Sequence, residues 1–269
     1  MKFIQGKTKN EFIAQNENNE ILGKGYIYES MASKIHKADR VNYFIEMKVD
    51  NNDEEIKRDI THHLIEVAKI WKAKNYPTID GRVYHCCFGH DQASIDFYST
   101  VDGFVRDEGM LILECSLDTT ENVQEMNEYQ LIEDNLNSIE STEEFIREHS
   151  RIFSSAYTHE KLSTMKNENR LKSFGIYHGN DIIANILVVN EEYEDKNQWW
   201  IDDLYVNTEY RKKGLADYLL STAHNYLHNL KADNVKLEVW SANNKATSLY
   251  YKRGYKTYQE SQVSIGMSI

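Results

Sequence analysis

The most informative segment of the chain is Asp-Asp-Leu-Tyr-Val-Asn-Thr-Glu-Tyr-Arg-Lys-Lys-Gly-Leu-Ala at residues 202–216. In it an apolar strand, predicted over 199–206, passes through a basic loop into an amphipathic helix. The first amides of a helix lack internal partners and carry partial positive charge, so this arrangement favours binding of a phosphate group. Gly214 lets a ligand approach the backbone, residues 211–213 add positive charge, and Ala216 is small enough for close packing. A plain loop with a solvated basic run is the alternative.

A second stretch, Asn-Asn-Lys-Ala-Thr-Ser-Leu-Tyr-Tyr-Lys-Arg-Gly-Tyr at residues 243–255, follows a strand predicted over 235–240. Together the two stretches resemble the GNAT superfamily of acyl-CoA-dependent N-acetyltransferases. The first is similar to that family's Arg/Gln-x-x-Gly-x-Gly/Ala pyrophosphate loop after a Leu-Tyr-Val strand. The second is similar to its Asn-x-x-Ala-x-x-Leu-Tyr-x-Lys-x-Gly-Phe/Tyr signature. Either motif alone is a weak signal, whereas both in this order are a strong one. The resemblance covers about residues 129–269 directly and residues 1–117 only through an internal repeat.

The resemblance implies that a substrate amine attacks the thioester of acetyl-CoA directly, with no covalent intermediate. It gives Tyr250 the role of general acid beside the sulfur, unless the register shifts and Tyr251 takes that place. It favours Asp202 as the general base, working through a water, with substrate binding or loop capping as the alternative role. Strand alternation sends Asp202 and Asp203 to opposite faces. The residues implied to hold acetyl-CoA are Leu204, Tyr205, Val206, Arg211, Lys212, Lys213, Gly214, Leu215, Ala216, Asn243 and Ala246.

The two halves of the chain match each other at an offset near 155 residues, so that Val49 aligns with Leu204. This repeat predicts a degenerate GNAT-like domain at 1–117, a linker at 118–128 and a catalytic domain at 129–269. The expected fold class is α+β (mixed α/β), with a twisted, mixed, mostly antiparallel sheet flanked by helices in each domain. The alternative is that the two halves are unrelated α/β domains with a similar order of strands and helices.

Apolar periodicity supplies the elements of this fold. The predicted helices are 56–71, 94–98, 142–153, 215–230 and 246–251. The predicted strands are 12–14, 21–28, 43–49, 83–88, 110–115, 174–177, 182–189, 199–206 and 235–240.

The first half lacks the residues that make the basic loop of the second half suited to a phosphate group. The positions that align with Arg211, Gly214 and Ala216 are Ile56, Asp59 and Thr61. The preceding residues 51–55 read Asn-Asn-Asp-Glu-Glu, whose acids would repel a pyrophosphate. We therefore expect this half to brace the other or to wall its acceptor cleft, unless Tyr98 retains a role.

Charge and composition exclude several classes of function. The 269 residues carry a formal net charge of −12, which argues against nucleic acid and anionic membranes as partners. Residues 1–7 lack the apolar core of an export signal, and no stretch approaches 18 apolar residues, so we expect a cytoplasmic protein.

Neither a disulfide framework nor a metal site is expected. The three cysteines, Cys86, Cys87 and Cys115, have no C-x-x-C spacing. The histidine pairs at 62 and 63, 85 and 90, and 224 and 228 lack a third ligand at motif spacing.

The sequence therefore predicts an N-acetyltransferase that moves an acetyl group from acetyl-CoA to a primary amine of a small molecule or peptide. A non-catalytic acyl-CoA-binding or regulatory protein with the same fold is the alternative. Amino-acid ligation from aminoacyl-tRNA is a third hypothesis, against which the acidic charge and the intact loop argue. Polyamines, amino acids, aminoglycosides and peptide N-termini all remain open as acceptors, and a homodimer is left open.

Overall fold

A computed structural model describes residues 1–32, 39–50, 53–123, 126, 128–152 and 157–269. The helices are α1 (Glu54–Asn75), α2 (Gln92–Ser99), α3 (Ile139–Ile152), α4 (His159–Asn167), α5 (Leu215–Asn229) and α6 (Asn244–Lys252). The strands are β1 (Lys2–Gln5), β2 (Glu11–Gln15), β3 (Ile21–Met31), β4 (Arg40–Lys48), β5 (Asp80–Phe88), β6 (Val105–Ser116), β7 (Gln130–Glu133), β8 (Leu171–His178), β9 (Asp181–Tyr193), β10 (Lys196–Val206), β11 (Asn234–Trp240) and β12 (Lys256–Ser268). Residue 153, the predicted end of α3, lies outside the described residues.

The chain divides into two compact units that interleave along the sequence. The first unit comprises Met1–Leu111, Val239–Thr247 and Gln259–Ile269. The second comprises Ile112–Glu238 and Ser248–Tyr258. The domain boundaries expected from the sequence stay a prediction, and residues 124, 125 and 127 of the predicted linker lie outside the described part of the chain.

The first unit contains a sheet with the strand order β1-β2-β3-β4-β5-β12. Neighbouring strands run antiparallel except β4 and β5, which are parallel and joined by α1. The buried face of α1 carries Ile60, Leu64 and Ala68, which are four residues apart. At Gly25 of β3 a Cβ would lie 2.8 Å from Ile60 and 3.1 Å from Leu64, so a side chain there would collide with the helix. The absence of a side chain at this position lets α1 pack closely against the sheet.

The second unit has the strand order β11-β10-β9-β8-β7. Its strands are antiparallel except β10 and β11, which are parallel and joined by α5. Leu215, Leu219, Ala223 and Leu227 form the buried face of α5, and each fully buried leucine contributes about 2 kcal/mol of apolar burial. The predicted fold class is confirmed for both units, since each holds a mixed, mostly antiparallel sheet with helices packed on it.

The element order supports the internal repeat. The series β3-β4-α1-β5-α2-β6 of the first half recurs as β9-β10-α5-β11-α6-β12 in the second. In each series two parallel strands are connected by a helix, which is the βαβ unit expected for such a pair. Among the described residues, no helix combines the length and apolar character required to cross a bilayer.

Candidate active site

The two parallel strands of the second unit pair over a very short distance. Only Trp200 with Lys236 and Ile201 with Leu237 are in register between β10 and β11. Immediately beyond, a β-bulge between Ile201 and Asp203 interrupts the pairing of β10 with β9, and a bulge bends its strand. Within the described residues, no strand pairs with the β11 side of β10 at residues 204–206. Main-chain groups on that edge are therefore open to a ligand that hydrogen-bonds like a strand.

The chain leaves β10 through a turn that only unusual backbone angles allow. A short 3₁₀ helix, Thr208–Tyr210, is followed by Lys212 with φ +63° and Gly214 with φ +82°. Gly214 directly precedes α5, and its left-handed angle favours glycine because a Cβ is strained there. The nearest atom to a Cβ at Gly214 would be Cε of Met126 at 3.6 Å, which is an ordinary contact. The position therefore demands glycine for its backbone angle and not for lack of space.

The N-terminus of α5 differs from those of the other helices in how its amides are satisfied. No side chain of the described residues caps α5. The other helices begin at a side-chain cap, which is Asp53 for α1, Asp91 for α2, Ser138 for α3, Thr158 for α4 and Asn243 for α6. A side-chain cap stabilises a helix by about 1 kcal/mol. At α5 that stabilisation is absent, and the first amides are left available to an external acceptor.

The three basic residues of the loop have different surroundings. Nε of Arg211 donates to the carbonyl oxygen of Val206 at 2.9 Å, which places the guanidinium over the end of β10. Nζ of Lys213 lies 3.2 Å from the hydroxyl of Tyr129 and 5.1 Å from the ring centre of Tyr210. Lys212 is exposed. Arg211 is thus beside the open strand edge, whereas Lys213 is held against two aromatic rings.

In the first unit, the helix that corresponds to α5 is α1, and a side chain of the protein occupies its first amides. The aligned residues Ile56, Asp59 and Thr61 all lie inside α1, which begins earlier than its counterpart. Oδ1 of Asp53 accepts hydrogen bonds from the amides of Glu55 at 3.0 Å and Ile56 at 3.2 Å. The first amides of α1 therefore already have an anionic partner, and a phosphate group would have to displace it.

The strand edge of the first unit that corresponds to the open edge of β10 is that of β4, and a side chain of the protein occupies it. Pairing of β4 with β5 ends at Phe44 and Tyr84, and Nδ1 of His85 lies 2.7 Å from the carbonyl oxygen of Ile45. Burial lowers the pKa of His85, which favours the neutral ring that donates from Nδ1. Tyr98, the counterpart of Tyr250, stacks on this imidazole at 4.2 Å. A histidine side chain thus bonds a main-chain carbonyl at the point where the strands diverge.

Tyr250 and Tyr251 are adjacent on α6 but lie in opposite environments. Tyr250 is 8% exposed, and its ring centre is 5.5 Å from that of Tyr255. Burial, and then the charge of Asp203, raise the pKa of Tyr250, so its hydroxyl stays protonated and can donate. Tyr251 is exposed, with its hydroxyl 3.1 Å from Oγ1 of Thr257. Of the two candidates for the general acid, Tyr250 is the one that lies near an acid of β10.

The two acids of β10 do not alternate as expected, because the bulge falls at Asp202. Asp202 is exposed and accepts a hydrogen bond from the hydroxyl of Tyr157. Asp203 is 8% exposed, and its Oδ1 lies 3.6 Å from Nε2 of His149 on α3. The rings of Tyr157 and His149 pack against each other at 4.8 Å. Both acids therefore contact one cluster, whereas strict alternation would have separated them.

Sequence reasoning missed His149 and Tyr157 as neighbours of the two acids, and it weighed Asp203 beside the favoured Asp202. A signal for His149 was present, because Thr142, Phe145 and His149 recur at the spacing of three and four that marks one face of a helix. All three are buried in α3. For Tyr157 no periodic pattern existed, since it lies between two helices.

Asn243 and Ala246, expected to bind the cofactor, belong to the first unit. Oδ1 of Asn243 accepts from the amide of Ala246 at 3.3 Å, as the cap of α6. Within the described part of the chain, no group of three or more His, Cys, Asp or Glu side chains could hold a metal ion.

The sequence profile of the acetyltransferase (GNAT) family matches residues 142–255, which contain the bulged strand, Tyr250 and the helix preceded by Gly214. Over this range, which is less than half of the chain, the protein is similar to the GNAT family. The family is one of acetyltransferases, so the similarity supports acyl transfer in general. Comparison with curated protein sequences gives no match.

Solved structures extend the likeness to nearly the whole chain. A GCN5-related N-acetyltransferase from Sphaerobacter thermophilus superimposes with a TM-score of 0.52 at 13% identity, covering 96% of this chain and 80% of that one. A tandem GNAT protein from the clavulanic acid biosynthesis pathway gives a TM-score of 0.50 at 12% identity, covering 96% and 82%. At such low identity these likenesses show a shared fold, and the chain is a GNAT-fold protein over both halves.

Proposed function

We propose that this protein transfers an acetyl group from acetyl-CoA to a primary amine of a small molecule or peptide. The proposal rests on two features of residues 142–255, which match the GNAT family. Helix α5 follows a glycine and has no side-chain cap, and the edge of β10 is open beyond its short pairing with β11. The closed counterpart in the first unit gives the opposite arrangement on the same topology. The second unit therefore carries the cofactor.

The residues of the second unit fit the parts of acetyl-CoA. The diphosphate is a dianion and suits the free amides at Leu215 and Ala216, with the guanidinium of Arg211 nearby. The pantetheine arm carries amides that suit the main chain of residues 204–206. Because Gly214 has no side chain, a ligand can approach the main-chain amides of Leu215 and Ala216. Acetyl-CoA supplies the activated acyl carbon, and the protein supplies the groups that bind and move protons.

The acid and base of the transfer come from α6 and β10. Tyr250, kept protonated by burial, gives its proton to the departing thiolate. The base that deprotonates the ammonium is one of the two acids of β10, of which the sequence favours Asp202. The acceptor amine, the cytoplasmic location and a homodimer remain predictions.

Binding is tested with Gly214→Ala. Calorimetry should show that the Kd for acetyl-CoA rises at least about tenfold, because a Cβ strains the turn and obstructs the amides. Gly179→Ala is the matched control, since Gly179 has φ +62°, no neighbour of its Cβ within 4 Å, and a place in the β8–β9 turn. The control should lose similar stability and keep its affinity for acetyl-CoA. Equal Kd values in both variants, or no binding to the wild-type protein, would contradict the proposal.

Turnover is tested by thiol release from acetyl-CoA across a library of primary amines. Tyr250→Phe should lower kcat at least about 100-fold with an unchanged Kd for acetyl-CoA, because only the proton donor is lost. Tyr251→Phe, the exposed neighbour, should leave kcat unchanged. Binding of acetyl-CoA without release of thiol for any amine would show a binding protein in place of an enzyme.

A further inference from the structure

Asp203, one of the two acids of β10 that are candidates for the base, is buried against His149. His149 is 3% exposed and Asp203 is 8% exposed, and an acid is rarely buried to this extent unless its carboxylate has a partner. Oδ1 of Asp203 faces Nε2 of His149 at 3.6 Å. Oδ2 of Asp203 is buried and, among the described residues, has no hydrogen-bond partner. A buried carboxylate oxygen without a donor is costly unless a polar ligand reaches it.

Asp202 is already engaged in a different way. It is exposed to solvent and accepts the hydroxyl of Tyr157, whose ring packs on His149 and Phe145. Water solvates an exposed carboxylate and stabilises its charged form, whereas burial makes a carboxylate a stronger base. Burial raises the pKa of Asp203. An ammonium group needs a strong base, because the ordinary pKa of an alkylammonium is about 10.

We propose that Asp203, held by His149, is the group that accepts the proton of the attacking ammonium, and that Asp202 anchors Tyr157. The inference rests on the proposed function. The ammonium gives one proton to the carboxylate of Asp203, and its nitrogen then forms a bond to the acetyl carbon. As the carbon–sulfur bond breaks, the thiolate takes the proton of the Tyr250 hydroxyl. The second proton of the nitrogen restores that hydroxyl, and Asp203 passes its own proton to water. His149 is a positioning residue.

The charges around Asp203 predict shifts of opposite sign in two variants. The groups that face it are His149 from α3, Asp202 and Tyr205 from β10, Tyr157 ahead of α4, and Tyr250 from α6. Burial raises the pKa of each of the three tyrosines, so they stay neutral. His149 lowers the pKa of Asp203 and Asp202 raises it. Loss of His149 should therefore raise the pKa of Asp203 further, whereas loss of the Asp202 charge should lower it.

The experiment measures kcat/KM against pH for an amine that the wild-type protein acetylates. Asp203→Asn should lower kcat/KM about 100-fold or more, and Asp202→Asn less than about tenfold. The acidic limb of the profile should move to higher pH in His149→Gln and to lower pH in Asp202→Asn. A purely structural role for His149 would change stability and leave the limb in place. If His149→Gln does not fold, the shift in Asp202→Asn alone decides the matter.

A second readout does not need turnover. Carboxyl-carbon NMR of protein labelled with ¹³C-aspartate should show the Asp203 signal titrating above the usual range, with the same two opposite shifts in the variants. An acidic limb that vanishes in Asp202→Asn, or that stays put in both variants, would overturn this proposal and leave the acetyltransferase standing. Shifts in the NMR titration without acetylation of any amine would overturn the proposed function, and the role of Asp203 as base with it.

Discussion

Glu121 is the centre of a partly buried polar network in the second unit, and its replacement tests how much that network stabilises the unit. Its carboxylate accepts from Oγ of Ser221 at 2.7 Å, lies 2.6 Å from Nδ1 of His224 and contacts the guanidinium of Arg253. Its own amide donates to Oδ1 of Asn225 at 2.7 Å. The hydrogen bond with His224, with further contributions from Ser221 and Arg253, lowers the pKa of Glu121 to about 2. The perturbation is Glu121→Gln, which keeps the shape and removes the charge.

The expected loss in the free energy of unfolding follows from the linkage between protonation of Glu121 and folding. The difference between the ordinary pKa of 4.5 and the folded value of about 2 corresponds to roughly 3 kcal/mol. Solvent screening of a side chain that is 27% exposed reduces this to about 2 kcal/mol. Because folding lowers the pKa, the stabilisation is present above pH 4.5 and is lost as the pH falls towards 2.

The assay is urea unfolding followed by tryptophan fluorescence at several pH values. At pH 7 Glu121→Gln should lower the free energy of unfolding by about 2 kcal/mol. Its difference from the wild-type protein should narrow as the pH falls from 4.5 towards 3. Glu192→Gln, an exposed acid on β9, is the control and should change stability by less than about 0.5 kcal/mol. A variant as stable as the wild-type protein at pH 7, or a difference in stability that grows in acid, would show that the charge of Glu121 does not stabilise the fold.

Three further variants separate the two units. Asp53→Ala should lower stability by about 1 kcal/mol through loss of the α1 cap, and calorimetry should show an unchanged Kd for acetyl-CoA. Tyr98→Phe should leave kcat in the thiol-release assay unchanged, since Tyr98 stacks on His85 in the closed first unit; a fall in kcat would contradict that assignment. Arg211→Gln should raise the Kd for acetyl-CoA about tenfold and weaken its dependence on salt, because a charged contact with phosphate is lost. An unchanged Kd would place the diphosphate elsewhere.

The long periodic elements of the fold were predictable from the sequence, whereas elements defined by their neighbours were not. Leu215, Leu219 and Leu227 mark one face of α5, and the structure buries all three. The C-terminal strand β12 was missed, because its first half is polar and exposed. Its second half is fixed by pairing with β5, where Val263 lies opposite Cys87. A strand of this kind owes its conformation to a partner that is distant in sequence.

The site shows the same limit. Gly214 and the basic loop could be predicted from the sequence, because neighbouring residues determine the turn and the start of the helix. The pair of Asp203 and His149 was not, because a bulge in β10 overrides alternation and α3 brings in a side chain from far along the chain. Local rules predict where a strand runs and fail where an extra residue shifts its register.

The two units share one topology and differ in a few side chains at the helix start and at the strand edge. Both hold parallel strands joined by a helix, and in both the strands stop pairing after a few residues. In the first unit Asp53 satisfies the helix amides and His85 bonds the strand carbonyl, so the protein supplies its own acceptor and donor. In the second unit Gly214 supplies neither, and the helix forgoes the stability of a cap. An anion bound at these amides would supply the missing stabilisation, and this is the physical reason for proposing that the second unit holds the diphosphate.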